Sequence, residues 1–298
     1  MQQRRSIPSY LFRVILLGFL LITFSLPACA RPPQAEFEAS VTSGQAPLTV
    51  NFTNTSKNAD EFQWDFGDGA TMTTSTIEES VTHEYTSAGT HTVTLTAVKT
   101  KEPPESSTAS QIITVEHGTL DRVKLTPETV VLGIEQLQEF NAEGLDAYDN
   151  PIPEAQITWE AAEEAGNITL NGVLTAGTKA GTFDQGVVAT ATFNADSAQA
   201  TASVTINPDP LKRVTISPIE VAAGETQPLE AIAKDKYGNR LSDVDMVWTV
   251  TNEDAGSITQ AGLFTAGKVA RTYADAVKVQ VTQGELTLTT TATVTIIP

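Results

Sequence analysis

Residues 62–69 read FQWDFGDG, and two features of that stretch decide how the chain around it folds. Phe62, Trp64 and Phe66 alternate with Gln63 and Asp65, so the three rings share one face of an extended strand and the polar side chains face the other way. Gly67-Asp68-Gly69 then turns the chain, with glycine supplying the positive φ that a tight turn demands. Burial of such rings contributes several kcal/mol each, at ~25 cal/mol per Å² of the ~150–250 Å² an aromatic side chain removes from water. A sandwich of modest size can rest on that. It must rest on apolar burial, because Cys29 is the one cysteine of 298 residues and no intrachain disulfide can form.

The same pattern continues outward. His91, Val93, Leu95 and Ala97 form a second alternating series, and Ile112, Ile113 and Val115 mark a closing strand. Farther along, residues 281–296 (VTQGELTLTTTATVTI) read as two half-buried strands joined by a hairpin around Gly284. Turn residues punctuate short runs of Val, Ile, Thr and Leu throughout, with no long apolar stripe at helical spacing. The expected fold class is all-β.

Residues 64–69 (WDFGDG), followed by His83-Glu84-Tyr85 and by residues 89–95 (GTHTVTL), resemble the PKD (polycystic kidney disease) domain over about residues 35–116. Trp64, Phe66, Gly67, Gly69, His83 and Tyr85 carry the likeness. The departure is His91, where the family usually places an aromatic or similar residue. The resemblance implies an immunoglobulin-like β-sandwich of an extracellular protein, used as a spacer or binding module.

The remainder of the chain repeats itself. Leu120-Asp121-Arg122-Val123 returns as Leu211-Lys212-Arg213-Val214, a shift of 91; Tyr148, Asn150 and Trp159 return as Tyr237, Asn239 and Trp248, a shift of 89. Gly166, Ile168, Gly172, Ala176 and Gly177 return as Gly256, Ile258, Gly262, Ala266 and Gly267, a shift of 90. Small loop indels between preserved strand positions are the mark of duplicated modules. Residues 120–207 and 211–298 are similar to bacterial Ig-like (Big, invasin-type) repeats, with a Y-x-N turn, a strand ending in Trp159 or Trp248, and a G-x-L-T-A-G hairpin. The linkers are His117-Gly118-Thr119 and Asn207-Pro208-Asp209-Pro210, the second stiffened by proline. The expected architecture is three tandem immunoglobulin-like β-sandwiches after an N-terminal signal peptide.

Arg4, Arg5 and Arg13 precede thirteen almost wholly apolar residues, Val14 to Leu26, which is the order of an export signal. That span is shorter than the ~20 residues a membrane-crossing helix needs. Leu26-Pro27-Ala28-Cys29 resembles the bacterial lipobox, which implies a signal peptide over 1–28, lipidation of Cys29 and a tether over 29–34. The alternative is A-x-A cleavage after Ala30, which discards the thiol and leaves a secreted chain.

With 36 acidic against 18 basic residues, the formal charge is −18, and loss of the three leader arginines makes it more negative still. Such a chain does not bind nucleic acid by counterion release and is repelled by anionic lipid. Catalytic constellations are missing: His83-Glu84 has no second histidine at zincin spacing, no G-x-S-x-G elbow occurs, and residues 262–268 (GLFTAGK) imitate a phosphate loop but continue into Val269 without a helical pattern. Asn51, Asn54 and Asn167 stand in glycan-acceptor triplets, which carry no weight behind a bacterial-type leader. Asp65 and Asp68, with Asp60 or Glu61 nearby, offer oxygens for Ca²⁺, although Asp in such a turn also bonds its own backbone amides. The acidic turns Asp146 to Asn150 and Asp235 to Asn239 are lesser options of the same kind. The functional expectation is a non-enzymatic protein without an obligate cofactor, lipid-anchored in the cell envelope and facing the extracytoplasmic side, binding an extracellular protein or glycan. Its rivals are a passive stalk and an accessory subunit that targets a secreted hydrolase.

Overall fold

The structure is a computed structural model that describes residues 31–75, 80–101 and 104–298. The described chain is all-β apart from a one-turn 3-10 helix at Glu253–Ala255, and it forms three tandem Ig-like β-sandwiches. Two compact units divide it: a smaller one from the described residues up to Ser40 with Asn51–Thr82 and Thr92–Ile112, and a larger one from Val41–Val50, His83–His91 and Ile113–Pro298.

In the smaller unit, strand Glu61–Asp65 pairs antiparallel on one side with Thr71–Thr74 and on the other with the inner part of Gly89–Lys99, setting Trp64 opposite both Met72 and Leu95. The expected alternation is realised: Phe62, Trp64 and Phe66 are buried while Gln63 and Asp65 are exposed. Trp64 and Phe66 stack with centroids 6.3 Å apart, and Phe37 meets the indole edge-on at 5.2 Å. Phe52 lies 5.8 Å from both, so four rings form one cluster. Aromatic pairs in such geometry add to the area term. That addition works against a local cost, since Trp64 Nε1 is buried with no hydrogen-bond partner among the described residues. The second alternating series also holds, with Val93, Leu95 and Ala97 buried here and His91 buried in the larger unit. The closing strand Glu105–Glu116 refines the sequence reading: Ile113 and Val115 are buried, but Ile112 is 57% exposed because a strand's side chains alternate and only one of two adjacent isoleucines can face the core.

In the larger unit the two repeats have the same topology. The second sandwich orders its main sheet Thr129–Gly133, Asp196–Asn207, Gly181–Phe193, Gln156–Ala161, and the third orders Ile219–Ala222, Leu286–Ile297, Thr272–Gln283, Asp245–Val250. In each, the first pairing is parallel and the others antiparallel. The hairpin expected around Gly284 joins Thr272–Gln283 to Leu286–Ile297, with Gln283 opposite Leu286. The opposing layers are built from Leu137–Glu139, Val173–Ala176 and Gly166–Ile168 in the second sandwich, and from Thr226–Pro228, Leu263–Ala266 and Gly256–Ile258 in the third. Phe140, Leu174, Val187 and Val204 fill one core; Trp248, Phe264, Val277 and Val294 fill the other. The phosphate-loop imitation at residues 262–268 is therefore a hairpin strand, not a loop opening a helix.

Candidate functional site

Three acidic turns are the places where polar chemistry concentrates. The first follows Trp64. Asp65 Oδ1 accepts from Gly67 N at 2.9 Å, Asp68 Oδ1 accepts from Ala70 N at 3.0 Å, and Phe66 N donates to Ala70 O at 3.1 Å. Gly67 sits at φ 79°, and a Cβ there would lie 2.6 Å from Thr92 N, so no side chain fits. Gly69, at φ 95°, completes the turn with open space around it. Asp60 is committed elsewhere, its Oδ1 accepting from Thr100 N at 2.8 Å. Among the described residues no three His, Cys, Asp or Glu side chains gather as a metal site would require.

In the larger unit, Tyr85 is buried between two imidazoles: His83 approaches edge-on and His91 lies nearly parallel, each with its centroid 4.7 Å from the phenol ring. His91 Nε2 donates to Ser87 O at 3.0 Å. The departure from the family pattern at position 91 is thus a flat ring stacked where an aromatic is expected. In the repeats, Trp159 and Trp248 each lie beneath the glycine that opens the hairpin. A Cβ on Gly172 would meet the Trp159 ring at 2.9 Å, and one on Gly262 the Trp248 ring at 3.4 Å.

The second and third acidic turns differ from the first in depth. Asp146 is 1% exposed and Asp235 3%. Asp146 Oδ1 accepts from Tyr148 N at 2.8 Å and Asn150 N at 2.9 Å, while its Oδ2 accepts from Asn150 Nδ2 at 2.8 Å and from Gly118 N, in the linker, at 2.7 Å. Asp235 repeats the arrangement with Tyr237 N at 2.8 Å, Asn239 N at 2.8 Å, Asn239 Nδ2 at 2.7 Å and the linker amide of Asp209 at 3.1 Å. Burial alone pushes both carboxyls up in pKa. The hydrogen bonds from the asparagine side chain and the surrounding amides outweigh it and hold both below the ordinary aspartate value. A carboxylate so saturated by donors has a structural task. Sequence spacing singles out these turns by their acids and their Y-x-N echo, and the structure adds the asparagine side chains as the working partners.

Cys29, with the leader at 1–28, lies outside the described residues. Among the described residues no helix is long and apolar enough to cross a membrane.

Residues 30–115 match the family model of the PKD domain. Among solved structures, the PKD1 domain of the Vibrio cholerae metalloprotease PrtV is 37% identical, covering 29% of this chain and 99% of that one with a TM-score of 0.24. The PKD1 domain of Vibrio anguillarum Epp is 27% identical, with 29% and 99% covered and a TM-score of 0.23. Extracellular domains 3–5 of Drosophila OTK are 13% identical, with 90% and 99% covered and a TM-score of 0.37. No curated protein matches. The family match falls on the residues whose rings and turn build the first sandwich, so the chain carries an N-terminal PKD domain at 30–115, followed by further Ig-like β-sandwich domains.

Proposed function

We propose that the chain is a non-enzymatic lipoprotein of the bacterial cell envelope, anchored through Cys29, whose PKD domain and two Big-type repeats bind an extracellular protein or glycan. The observation that carries the reading is the placement of the single cysteine directly after Leu26-Pro27-Ala28, at the end of the apolar leader. Tandem PKD and Ig-like domains, as extracytoplasmic modules, support the location and the binding role. The anchoring arithmetic also supports it: one acyl chain holds a protein only marginally, whereas two or more, at ~0.8 kcal/mol per buried CH₂, hold it durably. A diacylglycerol thioether on Cys29 meets that requirement. The tether expected over 29–34 is shorter than the sequence suggests, because Pro33 is buried, Gln34 exchanges two backbone hydrogen bonds of 2.8 Å with Lys57, and Asn58 Nδ2 donates to Pro32 O, so Pro32 to Gln34 belong to the sandwich.

Intact mass of the mature N-terminus tests the anchor. A diacylated Cys29 is the expected result, and an unlipidated chain beginning at Arg31 overturns it. Glycan-array and pull-down measurements with the folded protein test the binding role, and repeated null binding would leave a spacer.

A further inference from the structure

The buried turns at Asp146–Asn150 and Asp235–Asn239 share the string D-x-Y-x-N, and in both the asparagine side chain does more than close its own turn. Asn150 Nδ2 donates to Thr86 O at 2.8 Å, and Ala88 N donates to Asn150 Oδ1 at 2.7 Å. Asn239 Nδ2 donates to Thr178 O at 2.9 Å, and Ala180 N donates to Asn239 Oδ1 at 2.9 Å. Each carboxamide thus pairs with the carbonyl of one residue and the amide of the residue two farther on, as a neighbouring strand would. The receiving loops also share a string: residues 86–90 read TSAGT and residues 178–182 read TKAGT. The glycine of each adopts a positive φ, 144° at Gly89 and 153° at Gly181.

We propose that D-x-Y-x-N and T-x-A-G-T are the two halves of a clip that fixes each Ig-like repeat to the module before it in the chain. The aspartate is the organising group. Its Oδ1 shapes the turn, and its Oδ2 holds both the asparagine amide and the linker amide, Gly118 N or Asp209 N. Linker and turn therefore meet at one carboxylate, and the preceding loop is joined to it through the asparagine. At the first of these nodes a Cβ on Gly118 would lie 3.0 Å from Ala46 O and 3.2 Å from Asp146 Oδ2, so the linker is closely packed there. A third loop supplies an internal contrast. At the equivalent position of the third sandwich, residues 268–272 read KVART and are exposed. The first threonine and the glycine of the receiving string are replaced there by Lys268 and Arg271, while the second threonine is kept as Thr272.

Joined domains move relative to one another by default unless their contact is extensive, so a clip has a readout of its own. In full-length protein carrying Cys29→Ser, spin labels at Glu160→Cys and Thr289→Cys, both exposed strand positions, report the distance distribution between the second and third sandwiches. Asn239→Ala removes the plug, and Ala180→Pro removes the receiving amide without touching the third sandwich. Each is expected to broaden the distribution by about twofold. Asn239→Ala also lowers the melting temperature of the third sandwich, because it opens the turn, whereas Ala180→Pro leaves it unchanged. If one variant fails to fold, the other decides. An unbroadened distribution in a folded variant, or a parent distribution already as broad as the variants', overturns the clip.

Discussion

The turn at Asp65 to Gly69 and the turns at Asp146 and Asp235 look alike as sequence, each an aspartate followed within two residues by an aromatic, between strands. Physically they differ in what the carboxylate reaches. Asp65 and Asp68 are exposed and accept from amides two residues away. Asp146 and Asp235 are buried and accept from a linker amide 28 or 26 residues back as well as from their own turn. The lesson is that an acidic turn becomes structural when it gathers donors from segments distant in the chain, and that this gathering, not the acid itself, sets its energetic weight.

The sharpest way to break the comparison is Asp146→Ala. It strands the buried donors of Gly118, Tyr148 and Asn150, and a loss of about 3–4 kcal/mol from the second sandwich is expected in chemical denaturation of the full chain. Asp235→Ala follows with a somewhat smaller loss, since its linker bond is longer, 3.1 Å against 2.7 Å. A loss below 1 kcal/mol at both positions would mean that water replaces these bonds freely and that the two kinds of turn are equivalent. Next in size is Gly67→Ala, expected to cost the first sandwich about 2–3 kcal/mol in the same measurement through its positive φ and the approach of Thr92 N. There the turn's importance lies in its backbone.

How far these features were legible follows from the range of the interactions that make them. Alternation over Phe62 to Phe66 and over His91 to Ala97 is a local signal, and the strands it marks are the strands found. Ile112 and Ile113 show its limit, because two adjacent apolar residues do not say which one faces inward. The repeat was legible because duplicated modules keep their strand positions while loops drift. The wiring of Asn150 was not, because its partners lie 62 and 64 residues away and are backbone groups that no residue type announces. The recurrence of T-x-A-G-T at 86 and 178 was the one available hint, and it acquires meaning only when both copies are seen beneath an asparagine.

Acid titration separates the turns by another route. Asp146 and Asp235 have lower pKa values folded than unfolded, so their stabilisation is complete above the unfolded value of ~3.9 and is lost as pH falls through the folded values. Thermal melts of the larger unit are expected to drop steeply as pH is lowered beneath about 4, and Asp146→Asn should flatten that drop. An equally steep fall in the variant would place the acid sensitivity elsewhere. The smallest effects belong to the exposed turn. Asp65→Asn is expected to change stability by no more than about 0.5 kcal/mol. Chelation of divalent ions is expected to leave the melting of the first sandwich unmoved, and a marked fall in melting temperature on chelation would instead assign Asp65 and Asp68 to Ca²⁺.

Amide hydrogen exchange at Ala88 and Ala180 tests the clip most directly. Both residues lie outside the strands, in loops where an amide facing only water exchanges fast. Seated on Asn150 and Asn239, they are expected to be protected in the native chain. Asn150→Ala should release Ala88 alone, and Asn239→Ala should release Ala180 alone. Unprotected exchange at both amides in the unaltered protein would contradict the account.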